Sequence, residues 1–206
     1  MAFNVNDFRS SLTWDGARAS LFDVVMTLPP VLGLGTAALD TEIRFKARAT
    51  SLPGDSVSSI SVPYFGREIK VAGTRTFPDW SITVINDEDF RIRNNLEIWM
   101  SSINSHVNNR RSATAATSDG YQSDAWVRQY GKTGAIPPAG IPTGEAIPIK
   151  YYRFVNLFPI DVAPIDLDWG MGDQIEEFSV TFAYQWWEST TTDGVPTNVG
   201  FTGAGV

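Results

Sequence analysis

Apolar and polar residues alternate with a period of two along much of this chain. The alternation is clearest from Glu177 to Trp187, where one set of alternate side chains is aromatic or apolar and the other is small or polar. The apolar set is Phe178, Val180, Phe182, Tyr184 and Trp186, and the polar set is Ser179, Thr181, Ala183 and Gln185. Successive side chains of a β-strand point to opposite faces, so this segment predicts a strand with one dry and one wet side.

Further segments have the composition of strands. They are rich in β-branched and aromatic residues and are bounded by Gly, Pro, Asp or Asn. They are Ser20–Leu28, Glu42–Thr50, Val57–Pro63, Glu68–Ala72, Trp80–Ile85, Ser123–Tyr130 and Ile149–Phe158. We therefore expect a mainly β protein, either a β-sandwich or a partly closed barrel.

One segment follows helical periodicity instead. Its apolar residues are Ile92, Leu96, Trp99, Met100 and Ile103. Asn86 is predicted to cap this helix, and the acidic residues at positions 87–89 place negative charge near the positive end of the helix dipole. The sequence therefore predicts one amphipathic α-helix flanking an edge of the sandwich.

The chain is expected to form one domain over residues 1–188, since a length of 206 residues fits a single core. Three segments rich in Pro, Gly or small polar residues are predicted as loop insertions near residues 28–41, 106–122 and 131–148. Residues 189–206 follow neither period, so a flexible C-terminal extension is expected there.

The charge balance bears on nucleic-acid binding. The chain has 16 basic and 23 acidic residues, and its formal net charge is -7. Tight binding to phosphates requires clustered Lys and Arg, so such binding is disfavoured. A channel that transmits DNA without holding it remains compatible with this balance.

The absence of cysteine excludes disulfides and thiolate chemistry. It is the expected composition for a protein that matures in a reducing cytosol. The first 14 residues are polar and have no secretory pattern, and no segment is apolar over the length needed to span a bilayer. We expect a soluble protein without a leader.

Two motifs imitate ligand sites. Residues 33–38 read G-L-G-T-A-A, which matches the letters of a dinucleotide-binding turn, but prolines separate it from the preceding strand. Asp166, Asp168 and Glu177 have the spacing of calcium-loop ligands, but Met171 stands where that loop requires glycine. We expect no cofactor, no metal and no catalytic site, because no acid or base stands out in a suitable setting.

The most specific segment runs from Arg67 to Asp89 and reads R-E-I-K-V-A-G-T-R-T-F-P-D-W-S-I-T-V-I-N-D-E-D. It resembles a stretch, (K/R)-I-x-V-A-G-x-R-T-F-x-D-W-x-(I/V)-T-V-x-N-D, that recurs in tail tube proteins of contractile-tailed bacteriophages. Residues 49–54, A-T-S-L-P-G, look like the A-T-x-L-P-G turn of that family. The resemblance extends over roughly Leu21 to Glu188.

This resemblance implies a structural protein and not an enzyme. In the family, inner sheets pair edge to edge around a hexameric ring, and stacked rings form a tube through which genomic DNA passes during ejection. The implied partners are further copies of the chain and the tail sheath, baseplate, tape measure and tail terminator proteins. DNA would cross the lumen without specific binding, no membrane would be involved, and the protein would reside in the virion tail after assembly in the host cytoplasm.

Two sets of residues follow from these implied surfaces. A channel lining should be polar and free of apolar patches, and the strand alternation makes Glu68, Lys70, Ser81 and Thr83 the lumen-facing candidates. By resemblance, the segment around the Leu-Pro-Gly turn contacts the neighbouring ring. The inter-ring candidates are Ser51, Leu52, Pro53, Gly54, Asp55, Ser56 and Val57.

Two other classes remain open at this point. A ring or tube protein of a related contractile injection or secretion apparatus would use the same fold and stacking. A carbohydrate-binding β-sandwich would also be aromatic and acidic, but it should expose a row of Trp or Tyr side chains.

Overall fold

The computed structural model of the chain describes residues 5–12, 16–32, 42–131, 148–170 and 172–191. The motif at residues 33–38 and most of the predicted loop at 131–148 and of the predicted extension lie outside these ranges. The strands are β1 (Phe22–Met26), β2 (Ala47–Thr50), β3 (Ser56–Tyr64), β4 (Arg67–Thr76), β5 (Trp80–Ile85), β6 (Ser123–Tyr130), β7 (Pro148–Val162), β8 (Glu177–Ala183) and β9 (Trp186–Thr191). The helices are α1 (Val5–Ser11), α2 (Arg91–Ile103) and α3 (Ser118–Tyr121), with a 3-10 turn at Pro30–Leu32 and a helical turn at residues 42–46.

Seven of these strands form two antiparallel sheets that share β7. The first half of β7 pairs with β6 and β9, and β6 pairs in turn with β1; we call this group sheet 1. The second half of β7 pairs with β8, followed by β5 and β2; we call this group sheet 2. Among the strands that the structure describes, β3 and β4 pair only with each other and form a separate hairpin.

A local distortion in β7 allows this strand to belong to both sheets. Asn156 has a φ of 56°, in the left-handed region that asparagine tolerates better than most residues. Its backbone N–H donates a hydrogen bond of 3.0 Å to Asp124 Oδ1, which holds the bend. A register shift between Pro159 and Asp161 bends the strand further, as β-bulges do.

The core lies between the two sheets. Trp80 of sheet 2 stacks on Phe154 of sheet 1 with ring centroids 4.3 Å apart, and both side chains are buried. The alternating residues Ile82, Val84, Phe178, Val180 and Phe182 complete the sheet 2 side, and Val24, Met26, Ala125, Val127 and Leu157 complete the sheet 1 side. Apolar and polar residues alternate in β5 and β8 because each of these strands has one buried face, as predicted.

Helix α2 covers this core as predicted, but its beginning differs from the expectation. Ile92, Leu96 and Trp99 are buried, and Ile103 packs against the core from its edge. Met100 is half-buried. The residue before the helix is Phe90, in a left-handed conformation, so the prediction of Asn86 as the cap is wrong. The Asn86 side chain instead donates a hydrogen bond of 2.8 Å to Glu176 and anchors the start of β8.

Two strand predictions are also corrected. Residues 42–46 are helical, so the strand expected from Glu42 begins at Ala47. The strand expected from Glu177 to Trp187 is two strands, because residues 184–185 interrupt the pairing and β9 turns from sheet 2 to sheet 1. The interruption shifts the alternation, so that Trp187 packs against the core and Trp186 is exposed. Strand β9 continues to Thr191, past the predicted start of the extension.

Two helices complete the described chain. The short helix α3 lies within the predicted loop at 106–122. Helix α1 lies in the N-terminal segment that gave no periodic signal, and its apolar residues Val5 and Phe8 are exposed. In the part of the chain that the structure describes, no helix is both long enough and apolar enough to cross a membrane.

Candidate assembly surfaces

The β3–β4 hairpin is amphipathic. Residues directly opposite one another in an antiparallel pair have side chains on the same face. The apolar face contains the pairs Ile60–Val71 and Val62–Ile69, and near the turn the pair Tyr64–Arg67. The polar face contains the pairs Ser59–Ala72, Ser61–Lys70 and Pro63–Glu68.

Both faces of the hairpin are exposed. Every residue of β3 is exposed, and so is every residue of β4 except the half-buried Gly73. About half of the surface of Ile60, Val62, Ile69 and Val71 is accessible, so the described residues of the subunit do not cover the apolar face. An isolated two-stranded hairpin is only marginally stable in water. A partner that covers this face would therefore stabilise the hairpin.

The turn of the hairpin presents a large aromatic side chain. Phe65 and Gly66 have φ values of 44° and 79°, which are the left-handed conformations of a two-residue hairpin turn. Such a turn favours Asn or Asp before Gly, and a phenylalanine there is strained by roughly 1 kcal/mol or more. The Phe65 ring is 91% exposed and contacts Tyr64 edge to face at 4.6 Å. The turn therefore combines a strained backbone with an exposed aromatic ring.

The base of the hairpin is fixed to the core through Trp80. The Trp80 indole N–H donates to Thr50 Oγ1 at 2.9 Å and to the Ser51 carbonyl at 3.1 Å. Asp55 pairs with Arg75 at 3.3 Å across the two strands. Gly73 is required where the register shifts, because a Cβ there would collide with Ser58.

Tyr184 lies half-buried beside this base and predicts a dependence on alkaline pH. Burial, together with the negative charges of Asp79 and Asp55, raises the pKa of Tyr184 to about 12. The unfolded chain has a tyrosine pKa of about 10. The folded state therefore holds this proton more tightly, and stability is lost as the pH rises from about 10 to about 12.

We expect Tyr184→Phe to reduce this alkaline loss of stability. The Phe variant keeps the edge-to-face contact with Phe154 at 5.0 Å but has no proton to lose. The measurement is the free energy of unfolding in urea at pH near 8 and near 11 for both chains. An equal fall in both chains would show that Tyr184 does not contribute.

The middle of the outer face of sheet 2 is small and polar. Ser81 and Thr83 of β5 lie on this face, opposite Thr181 and Ser179 of β8. Asp161 of β7 is paired with Thr181 and extends the face. None of these side chains is buried, whereas the alternate residues of β5 and β8 form the core. The face has the character of a surface in contact with water.

Sheet 2 has two open edges. Among the described residues, β2 pairs only with β5, and residues 158–162 of β7 pair only with β8. All pairings in the sheet are antiparallel, so its four strands alternate in direction and the two edge strands are antiparallel to each other. Edge β2 of one copy can therefore continue the antiparallel pattern of the β7 edge of another. Unpaired edges of this kind are usually protected in monomers.

The predicted surface residues fall on these features. Ser81 and Thr83 lie on the outer face of sheet 2, and Glu68 and Lys70 lie on the polar face of the hairpin. β4 and β5 do not pair, so these two groups belong to separate sheets. The predicted inter-ring residues Ser51–Asp55 connect β2 to β3, and Ser56 and Val57 begin β3; Pro53 is half-buried and the others are exposed.

A cluster of charges around the buried Asp23 joins β1 to β6. Asp23 accepts hydrogen bonds from Arg44 at 2.7 Å, from Arg128 at 2.7 and 2.8 Å, and from the Tyr130 hydroxyl at 2.9 Å. Burial raises the pKa of Tyr130, and its hydrogen bond to Asp23 acts in the same direction. Because these groups satisfy one another, the cluster connects structural elements and leaves no free acid or base.

The calcium-loop spacing does not produce a calcium site in the described chain. Asp168 Oδ1 accepts the Gly170 N–H at 2.8 Å, and Glu177 pairs with Arg48. In the described ranges no group of three or more His, Cys, Asp or Glu side chains is arranged to hold a metal.

Open sheet edges, a polar outer face and a projecting apolar hairpin define a structural subunit that assembles with other protein surfaces. Comparison with known proteins agrees. Residues 17–190 match the family model described as phage tail tube protein. The tail tube protein gp19 of Enterobacteria phage T4 is 34% identical over 174 residues, covering 84% of this chain and 92% of that protein. The tail tube protein of Serratia phage KSP90 is 31% identical over 182 residues, covering 87% of this chain and 93% of that protein.

Solved structures show the same fold. A chain of the anti-feeding prophage baseplate, determined by cryo-electron microscopy with 6-fold symmetry, has a TM-score of 0.60 at 10% identity, covering 86% of this chain and 97% of that one. A chain of the sheath-tube complex of an extracellular contractile injection system has a TM-score of 0.53 at 11% identity, covering 92% and 99%. The chain belongs to the phage tail tube protein family. The resemblance expected from residues 67–89 is thereby confirmed.

The sequence did not identify every exposed apolar residue. Phe65, Leu167 and Trp169 are among the most exposed large side chains, at 91%, 79% and 105%. The sequence could have indicated that Phe65 is unusual. Phe-Gly stands between two alternating runs, at a place where a two-residue hairpin turn favours Asn-Gly. Leu167 and Trp169 alternate with Asp166 and Asp168, a pattern that reads equally well as a half-buried strand.

Proposed function

We propose that this chain forms hexameric rings that stack into the tail tube of a contractile-tailed phage, and that genomic DNA passes through the tube during ejection. The pair of open edges in sheet 2 is the observation that carries the ring. Pairing β2 of each copy with residues 158–162 of the next would satisfy the backbone groups of both edges. Because four strands alternate in direction, each added copy continues the antiparallel order and the ring can close into a barrel.

In this ring the outer face of sheet 2 would line the channel. Ser81, Thr83, Ser179 and Thr181 are neutral and hydrogen-bond to water, and Asp161 adds negative charge. These positions of sheet 2 carry no Lys or Arg that would bind phosphates, so DNA could slide along this part of the lining with water in between. Glu68 and Lys70, on the polar face of the hairpin, would also face the water in the channel. The function is that of a conduit and requires no catalysis.

The hairpin and the segment Ser51–Val57 would make the contact between rings. The described part of the subunit leaves the apolar face of the hairpin uncovered, and burial against a neighbouring ring would remove this face from water. Trp80 fixes the base of the hairpin to the core, so the hairpin that makes the contact is attached firmly to sheet 2.

Relatives and structural neighbours support the wider assembly. The injection-system chain of similar fold comes from a complex of sheath and tube, and the anti-feeding prophage chains come from a baseplate and a tube-terminating cap. We propose that this tube likewise contacts sheath, baseplate, tape measure and tail terminator proteins, and that it assembles in the host cytoplasm. The relatives above 30% identity come from phages, which favours a phage tail over a related injection or secretion apparatus.

Engineered cysteines test the ring directly, because the chain has none of its own. Ala49 of β2 is paired with Thr83, and Asp161 of β7 is paired with Thr181, so both lie on the outer face of sheet 2 at opposite edges. Residues facing each other across paired strands have Cβ atoms about 5 Å apart. We expect oxidation of the variant Ala49→Cys/Asp161→Cys to give a ladder of disulfide-linked species on non-reducing gels.

The ladder should end at six copies, and each single cysteine variant should give at most a dimer. Further cysteine pairs at the positions next to Ala49 and Asp161 test the other registers in which β2 of one copy could pair with β7 of the next. Electron microscopy of the unmodified protein should show rings or tubes without any ligand. A solitary subunit at high concentration, with no linked species in any register, would refute the proposed ring.

A further inference from the structure

The hairpin and the connection between β7 and β8 leave sheet 2 at opposite ends. The hairpin follows the end of β2 and precedes the start of β5 at Trp80, which is paired with Phe182 at the end of β8. At the other end of β5, Ile85 is paired with Glu177, the first residue of β8. If strands run between the two rims of a ring, one feature lies at each rim.

The β7–β8 connection has an acidic and apolar surface. We call residues 163–170 and 172–176 the acidic loop, because this stretch of sequence contains four carboxylates and no Lys or Arg. Leu167, Trp169 and Ile175 are 79%, 105% and 72% exposed. The loop lines a cleft of about 640 Å³ together with Arg48 and Glu177. Exposed apolar groups beside charges are typical of interaction surfaces.

Some acids of this loop have partners and others do not. Glu176 accepts a hydrogen bond from Asn86, and Glu177, just beyond the loop, pairs with Arg48. Asp166 and Asp168 have no cationic partner within the described part of the chain. They alternate with Leu167 and Trp169, so the loop offers negative charge and apolar area together.

The hairpin offers the complementary combination. Its apolar face ends near the turn at Arg67, opposite Tyr64 and beside the exposed ring of Phe65. Arg67 is exposed and has no carboxylate partner among the described residues. A β3 strand of nine residues is about 30 Å long, which is enough to reach beyond its own subunit.

We propose that the acidic loop of one copy receives the hairpin of the next copy, with Arg67 facing Asp166 and Asp168 and the apolar face of the hairpin covering Leu167 and Trp169. This proposal rests on the proposed stacking of rings and names its receiving surface. Because the two surfaces differ and lie at opposite ends, the contact is head-to-tail and each added ring presents a fresh hairpin. Such a contact produces an open filament.

Charge reversal on each side tests this contact. We expect Arg67→Glu, and separately Asp166→Lys/Asp168→Lys, to raise the protein concentration needed for tube growth at least about tenfold, because like charges then meet at every copy. Combining the three substitutions in one chain restores opposite charges. It should return the required concentration to within about threefold of the parent value. Sedimentation and negative-stain microscopy measure the tubes.

The matched control is Arg110→Glu, a reversal at an exposed arginine outside both surfaces. It should form tubes as the parent does. Loss of tubes in Arg67→Glu without recovery in the combined variant would overturn the pairing, as would normal tubes in all variants. The proposed function fails separately, when the parent itself forms neither rings nor tubes.

A crosslink provides the second measurement and does not depend on tube yield. The variant Phe65→Cys/Trp169→Cys places one thiol on the turn of the hairpin and one on the acidic loop. A short bismaleimide should join the chains of stacked rings into species larger than one ring, whereas each single variant should not extend beyond a linked pair. Absence of the larger species in assembled tubes of the double variant would overturn the proposed receiving surface.

Discussion

Four threonines on the apolar face of the hairpin should abolish tube formation without unfolding the subunit. The variant is Ile60→Thr/Val62→Thr/Ile69→Thr/Val71→Thr. These side chains are about half exposed in the subunit, so their replacement should change the free energy of unfolding by less than about 0.5 kcal/mol each. Threonine keeps the branched shape that suits a strand. The register of the hairpin should therefore be preserved.

The effect on assembly should be much larger because every copy contributes. Each side chain would lose roughly 1 kcal/mol of apolar burial, which over four positions and six copies is on the order of 20 kcal/mol per ring junction. Negative-stain microscopy of the purified variant should show rings and no tubes, and its unfolding transition should remain close to that of the parent.

A matched control uses the opposite face of the same hairpin. The variant Ser59→Thr/Ser61→Thr/Lys70→Thr/Ala72→Thr introduces the same number of threonines at exposed positions. It leaves the apolar face intact and should still form tubes. Equal tube formation by both variants would show that the apolar face does not join the rings.

Trp80→Ala should destabilise the subunit by about 3–5 kcal/mol, since removal of a buried tryptophan leaves a large cavity. The Trp80 ring stacks on Phe154 and packs against Phe182 at 5.6 Å. Its N–H also holds Thr50 and Ser51 at the base of the hairpin. The variant should therefore lose stability and the fixed orientation of the hairpin together.

Urea unfolding of the variants measures the first effect. Trp169→Ala is the matched control, because it makes the same chemical change at a fully exposed position and should alter the free energy of unfolding by less than about 0.5 kcal/mol. Trp80→Phe keeps an aromatic ring but loses the N–H and part of the indole volume, so it should cost about 1–3 kcal/mol. Similar losses for Trp80→Ala and Trp169→Ala would contradict the assignment of Trp80 to the core.

Several elements could be predicted because their residues face one environment along their whole length. Strands β5 and β8 have one buried and one wet side, so their alternation was visible in the chain. Helix α2 was visible for the same reason, through Ile92, Leu96 and Trp99. The helix start was mispredicted because the Asn86 side chain donates its hydrogen bond to Glu176, a residue distant in the sequence, and does not cap the helix.

The candidate surfaces were predicted less completely. The strands of the hairpin and the polar positions Glu68 and Lys70 follow from local alternation. The length of β7 and its passage between two sheets do not, because they depend on Asn156 and a register shift against β8. Trp186 was assigned to the wrong face because the interruption at residues 184–185 is imposed by pairing with a different sheet.

The sequence by itself determined the mainly β class, the flanking helix, the family and the two-faced character of each strand, since these depend on neighbouring residues and their spacing. Only the tertiary structure decided that, within the described residues, the apolar face of the hairpin is uncovered and sheet 2 has two open edges. It also decided that the hairpin and the acidic loop leave opposite ends of that sheet. The physical reason is that the alternation of apolar and polar residues along a strand indicates only which side chains share a face. Whether anything covers that face depends on contacts between residues far apart in the chain.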